Sequence, residues 1–343
     1  MNYTNTFLFS FFVSFLLTPV FRFIAVKLKI LDHPISEIKT HKIPTPYLGG
    51  LAISISFYLT LFLVRITTHF PTGTLYSLRG IIFGGLIIII IGLIDDIKHK
   101  GIHFTTKFLG EIIAALILIH YGIKINFITP EWFALVLTLL WVIGITNAVN
   151  LVDVMDGLSS GISVISCLGI FFVTKYIEEE IYVSYSVLAL AGACLGFLPY
   201  NVSDKYKIFM GDTGALFVGF VLSALTLGGK YSSNNQLGVL SPIIILLIPI
   251  YETFLISILR LSRGQSPFIG SKDHFSLRLL SVGIPKYKVL IVSYISAICL
   301  SIIGIFTVLS PNIYVPIFLI LLVSLSIIFA TKYLVKIEVK WRL

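Results

Sequence analysis

Apolar residues run along this chain in long blocks, separated by short segments that hold most of the charge. Stretches of a length suited to crossing a bilayer fall near 4–24, 48–66, 80–97, 106–122, 131–149, 158–175, 182–199, 209–228, 239–260, 287–309 and 312–334. Blocks this long are helical rather than strand-forming, so the pattern predicts an all-α polytopic membrane protein of about 10–11 transmembrane helices. The third and fourth blocks are short and polar at one end. No Lys or Arg precedes the first block, whereas Arg22, Lys27 and Lys29 follow it. That order predicts an uncleaved first helix with the N-terminus outside, not a secretory signal.

Composition agrees with a lipid solvent. The chain has 343 residues, 57% of them hydrophobic and only 12% charged, against about 25% charged in a soluble domain. Eleven spans with the N-terminus outside put loops near 25–46, 95–107, 147–160, 200–208 and 260–288, and the C-terminus, on the cytoplasmic side. The whole of 1–343 then forms a single integral membrane domain. Twenty of the 25 lysines and arginines fall on or beside that inner face, leaving Arg65, Arg79, Lys124, Lys175 and Lys230 outside. The acidic run Glu178, Glu179 and Glu180 also falls outside. Topology therefore accounts for the net charge of +9. Nucleic acid is excluded as a partner, because no soluble basic segment interleaved with aromatics exists. Cys167, Cys194 and Cys299 lie within apolar blocks without metal spacing and read as inert thiols.

Carboxylates gather at the inner ends of the blocks. Asp95 and Asp96 close the third block, and adjacent carboxylates repel unless a cation lies close by. Lys107 opens the fourth. Asn147, Asn150, Asp153 and Asp156 recur at three-residue steps, which lines them along one helical face. Amides and carboxylates on one face with no nearby Lys or Arg suggest a divalent cation or a hydrogen-bonding ligand, and such hard oxygen donors suit Mg²⁺ or Mn²⁺. Asp212, in the run Gly211, Asp212, Thr213, Gly214, opens the eighth block with free N–H groups that favour phosphate. Phe209 precedes it. The longest inner loop carries Arg260, Arg263, Lys272, Asp273, His274 and Arg278, so several cations face four acidic clusters. Glu111, His120 and Glu252 lie deeper and read as interhelical partners.

These motifs, in this order, resemble the polyprenyl-phosphate N-acetylhexosamine-1-phosphate transferase family. The similarity runs from Leu31–Pro34 through Ile43–Gly50, then Asp95 and Asp96, Asn147 to Gly157 and Gly211 to Gly214, ending at His274 to Leu280. Val154, Ala215, Ser276 and Leu277 depart from the family's usual motifs. The entry around Thr45 to Gly50 resembles the N-acetylglucosamine branch more than the peptidoglycan branch. The resemblance implies transfer of a sugar-1-phosphate from a UDP-sugar to undecaprenyl phosphate, releasing UMP, at the start of a cell-envelope polysaccharide. It implies catalytic roles for Asp95 and Asp96 and a metal site at Asn150 and Asp212 holding Mg²⁺ (or Mn²⁺). Substrate contacts would come from Lys107, Asn147, Asp153, Asp156, Phe209, Arg263, His274 and Arg278. Within that set, Lys107 would hold phosphates, Asp156 and Phe209 the uracil, and the arginine loop the sugar. The expected location is the bacterial inner membrane, with the active site on the cytoplasmic face. Expected partners are the UDP-sugar, undecaprenyl phosphate and the bilayer, with a homodimer left open. The rival class is a cation-coupled secondary transporter, which places its ionisable residues near the bilayer midplane.

Overall fold

The computed structural model describes residues 1–34, 43–68, 74–98, 101–176, 181–229, 231, 234–266 and 272–337. Parts of the expected loops 25–46, 95–107 and 260–288, and the run at Glu178 to Glu180, lie outside the described residues. Each of the eleven apolar blocks folds as helix. In chain order the helices are α1 (Tyr3–Lys27), α2 (Gly49–Thr67), α3 (Thr74–Ile97), α4 (Phe104–His120), α5 (Glu131–Val152), α6 (Leu158–Tyr176) and α7 (Ile181–Asn201). They continue with α8 (Gly211–Leu227), α9 (Ser241–Ile245), α10 (Leu247–Ser262), α11 (Phe275–Ser281), α12 (Lys286–Leu309) and α13 (Tyr314–Val335). One short antiparallel ladder, β1 (Leu31–Asp32) with β2 (Thr45–Pro46), closes the loop between α1 and α2.

Among the described residues, eight helices are long and apolar enough to cross a membrane. A ninth apolar segment is bent: the helical stretch ending in α9 meets α10 at 71°, the geometry of a broken span or a re-entrant loop. Pro249 explains the break. It has no N–H to return to Ile245, four residues back, and the Ile245 carbonyl accepts from Ser166 Oγ at 3.3 Å instead. The blocks at α4 and α8 are 17 residues each. At 1.5 Å per residue they reach about 25 Å, short of a hydrocarbon core of about 30 Å. These two short helices carry Lys107 and Asp212 in their first turns.

Helix faces are sorted as lipid solvent demands. Thr6, Ser10, Ser14 and Thr18 of α1 are buried, while Phe9, Phe12, Leu16 and Phe23 are exposed. Ser10 and Ser14 donate to the carbonyls of Ala189 and Ala193 on α7, at 2.5 and 2.7 Å. Small polar residues thus bring the two backbones together where apolar burial gains nothing over lipid. The same device seats α8. A β-carbon on Gly50 of α2 would lie 2.2 Å from the Gly214 nitrogen, and one on Gly92 of α3 would lie 2.5 Å from Thr213 Cα.

Contacts between distant loops put the polar ends on one side of the bundle. Phe209 N donates to Pro46 O at 2.8 Å, and Gly49 N and Gly50 N donate to Phe209 O and Met210 O. Arg22 Nε donates to Lys207 O at 3.2 Å, tying the end of α1 to the same loop. Beneath the α10–α11 region, Val152, Met155, Leu158, Leu255, Leu259, Phe275 and Val289 form a second apolar core. Gly50→Ala is expected to destabilise the protein by about 1–3 kcal/mol through overpacking against α8. Thermal unfolding in detergent, with the exposed Gly144→Ala as control, checks this.

Candidate active site

Three carboxylates from two helices converge. Single oxygens of Asp95, Asp96 and Asp212 all lie within 4.8 Å of one another. Asp95 Oδ1 accepts from Ile102 N at 2.6 Å, and Asp95 Oδ2 accepts from Lys107 Nζ at 2.9 Å. Lys107 Nζ also donates to Asp212 Oδ2. Asp96 is spent differently. Its Oδ1 accepts from Asp212 N at 2.8 Å, and its Oδ2 from Thr213 N at 3.0 Å and Thr213 Oγ1 at 2.6 Å. Asp96, on α3, therefore caps the first turn of α8, where N–H groups lack intrahelical partners.

With all three carboxyls ionised, the Lys107 ammonium would leave an excess of two negative charges. At about 4 Å and an effective dielectric near 20, each uncompensated pair costs on the order of 4 kcal/mol. A divalent cation suits that deficit and an all-oxygen donor set. The last turn of α5 supplies more donors. Asn150 and Asp153 have no side-chain hydrogen-bond partner among the described residues. Burial, with Asp156 and Asp212 close by, pushes the Asp153 carboxyl up to about 7. Asn147 Nδ2 donates to Glu111 Oε2, joining α5 to α4. Glu111 is thus an interhelical partner, as expected.

After α5 the chain turns at Gly157, whose φ of +83° favours glycine. Gly157 N donates to Asn201 Oδ1, and Tyr294 Oη donates to Gly157 O, both at 2.6 Å. The turn presents Asp156, whose Oδ2 accepts from Lys207 Nζ at 2.7 Å and from Lys286 Nζ. Lys207 Nζ also stands 5.2 Å from the centroid of the Phe209 ring. Asp156 and Phe209 are therefore neighbours, joined through a lysine.

The arginine loop forms a separate network. Arg263 Nη1 donates to both oxygens of Asp273, at 2.9 and 3.1 Å, and Arg278 Nη2 to Asp273 Oδ1 at 2.6 Å. Arg278 is 1% exposed, and its remaining donors reach the carbonyls of Asp273, Leu334 and Ile337. It locks α11 to the end of α13, and its donors are engaged there rather than offered to a ligand. His274 Nδ1 donates to Glu252 Oε1 at 2.9 Å, and Glu252 also accepts from Phe275 N. Glu252 is thus an interhelical partner as well. Arg263, with 39% of its side chain exposed, is the more open cation of this group.

Sequence reasoning assigned no role to Thr213, Lys207, Lys286, Asn201 or Tyr294, which position the groups it did single out. Asn201 had a visible signal, an amide closing an apolar block. Tyr47 is another. Burial and the carboxylates of Asp32, Asp96, Asp212 and Asp95 push its phenol up, which sets it beside the acidic cluster.

Residues 78–230 match the model of glycosyl transferase family 4. Over 314 residues the chain is 34% identical to the probable undecaprenyl-phosphate N-acetylglucosaminyl 1-phosphate transferase of Bacillus subtilis, covering 89% of this chain and 84% of that one. The chain belongs to glycosyl transferase family 4. A second relative in this family-4 comparison is the decaprenyl-phosphate N-acetylglucosaminephosphotransferase of Mycobacterium tuberculosis, 31% identical over 82% of this chain and 77% of its own. A phospho-N-acetylmuramoyl-pentapeptide-transferase of Staphylococcus epidermidis is 33% identical, over 57% of this chain and 65% of its own. The stretch matched by the family-4 model takes in the acidic cluster, Lys107, the Asn147–Asp156 row and Phe209, while the arginine loop lies beyond it.

The two adjacent aspartates of this family-4 protein should behave differently when changed. Asp96→Ala strands three donors at the start of α8 and is expected to cost about 1–3 kcal/mol of stability as well as activity. Asp95→Ala removes a more open pair and is expected to lower the melting temperature less. Thermal melts of both variants check the order.

Proposed function

We propose that the protein transfers N-acetylglucosamine-1-phosphate from a UDP-sugar to undecaprenyl phosphate, releasing UMP, as the first step of a cell-envelope polysaccharide. The observation that carries this is the joining of Asp95, Asp96, Asp212 and Lys107 at one end of a bundle of apolar helices. The activities named for the Bacillus and Mycobacterium relatives support the same class. The carboxylates gather at helix ends, which leaves the transporter alternative without a midplane site. The bias of Lys and Arg supports a cytoplasmic active face in a bacterial inner membrane.

The acceptor's prenyl tail stays in lipid, since each buried CH₂ contributes about 0.8 kcal/mol, and only its phosphate comes to the helix ends. A phosphate monoester has a second pKa of about 6, so at neutral pH it is already largely dianionic. It attacks the donor's β-phosphorus in line. Asp95, held by Ile102 N and Lys107, positions it and takes any remaining proton. Lys107 turns from Asp95 and Asp212 towards the phosphates as they arrive. Asp96 acts on Asp212 through the α8 backbone, and with both oxygens engaged it is poorly placed to form a phospho-enzyme.

Asn150 and Asp212 would hold Mg²⁺ (or Mn²⁺), which when bound offsets the charge growing on the leaving UMP. Asn147 and Asp153 flank that position on the same row. Phe209 stacks on the uracil and Asp156 accepts from it, while Arg263 and His274 lie towards the sugar. One pyrophosphate linkage breaks and one forms, so no further energy source is required.

Purified protein should release UMP from UDP-N-acetylglucosamine in the presence of undecaprenyl phosphate. Release should stop with a chelator and resume with Mg²⁺. Asp212→Asn should be slower by a factor of ~100 or more, the scale of losing one preorganised electrostatic group. No UMP from any UDP-hexosamine, or an unchanged rate for Asp212→Asn, overturns the assignment.

A further inference from the structure

The two side chains offered to the nucleobase already share an occupant. Lys207 Nζ is bonded to Asp156 Oδ2 at 2.7 Å and stands 5.2 Å from the Phe209 ring centroid, within cation–π range. Lys286 Nζ is bonded to the same oxygen of Asp156. Two ammonium groups thus meet one carboxylate, and only one is needed to balance it.

Lys207 is also set up to leave without dragging its loop. Arg22 Nε holds its carbonyl at 3.2 Å, and Asn201 Nδ2 holds the next carbonyl, Ile208 O, at 3.0 Å. The four-carbon stem can swing while the backbone stays. Its side chain is 25% exposed, so the freed ammonium reaches water directly. Lys286 remains on Asp156, so no half-buried carboxylate is left unpaired by the exchange.

We infer that Lys207 is a specificity-determining residue that keeps the place of the base. A ligand displaces it only by supplying both of its contacts at once, an N–H donor to Asp156 and a partner for the Phe209 face. Uracil does so with a single planar ring, through its N3–H and its π surface. Phosphate alone offers no such pair and leaves Lys207 seated. This deepens the UDP-sugar reading above and rests on it.

Binding of uridine and of UMP to the full-length protein in lipid nanodiscs, followed by calorimetry, tests the idea. Lys207→Ala opens the ring face and should bind uridine about 2- to 5-fold more tightly, the equivalent of one exposed cation–π contact. Lys207→Arg should bind uridine more weakly than wild type, because a planar guanidinium stacks and forks onto a carboxylate better than an ammonium. Uridine affinity unchanged in both variants, or weakened in Lys207→Ala, overturns the inference. Weaker UMP binding in Lys207→Ala with unchanged uridine binding would make Lys207 a phosphate ligand, which also overturns it. Wild-type protein that binds neither uridine nor UMP would instead sink the UDP-sugar reading itself.

Discussion

Asp96 reaches from the last turn of α3 to the first turn of α8, where its two oxygens take the N–H groups of Asp212 and Thr213 and the hydroxyl of Thr213. The start of a helix leaves N–H groups that must find partners, and in an apolar bundle no water supplies them cheaply. Asp96 meets that need and fixes where Asp212 can stand. Gly50 and Gly92 let α2 and α3 close on the same turn. The acidic cluster is therefore a packing consequence as much as a chemical one. If α8 shifted, Asp212 would leave Lys107, and Asp95 would lose the partner of its counterion.

Ion pairs meet most carboxylates around this centre, although in the acidic cluster Lys107 is shared by two of three. Lys107 serves Asp95 and Asp212, Lys207 and Lys286 serve Asp156, Arg263 and Arg278 serve Asp273, and His274 serves Glu252. Buried or half-buried carboxylates require such partners, because an unpaired one costs several kcal/mol. The last turn of α5 stands apart. Asn150 and Asp153 have no side-chain hydrogen-bond partner among the described residues, and burial, with Asp156 and Asp212 close by, pushes the Asp153 carboxyl up to about 7.

Much of this was legible in the sequence, for identifiable reasons. Apolar blocks report helices directly, because lipid requires each segment to satisfy its own backbone, and all eleven blocks are helical. The convergence of Asp95, Asp96, Lys107 and Asp212 followed from their common side. What could not be read is how individual side chains are spent. Asp95 and Asp96 are identical neighbours in sequence, yet one caps a helix and the other faces the open cluster. Arg278 looks like a substrate cation on an inner loop, but the end of α13, more than fifty residues on, takes its guanidinium. Lys207 and Lys286 counted only towards the charge bias. Their meeting at Asp156 depends on how the ends of α5, α7 and α12 come together, which no local pattern encodes. The break at Pro249 and the short ladder at Asp32 are tertiary in the same sense.

The two helices that fall short of a full crossing, α4 and α8, begin with the residues that hold the cluster together. Their first turns supply Lys107 on α4 and the N–H groups of Asp212 and Thr213 on α8, and both meet the last turn of α3 at Asp95 and Asp96. Because the first turns of α4 and α8 both meet the last turn of α3, the charges of three helices come within hydrogen-bonding reach of one another.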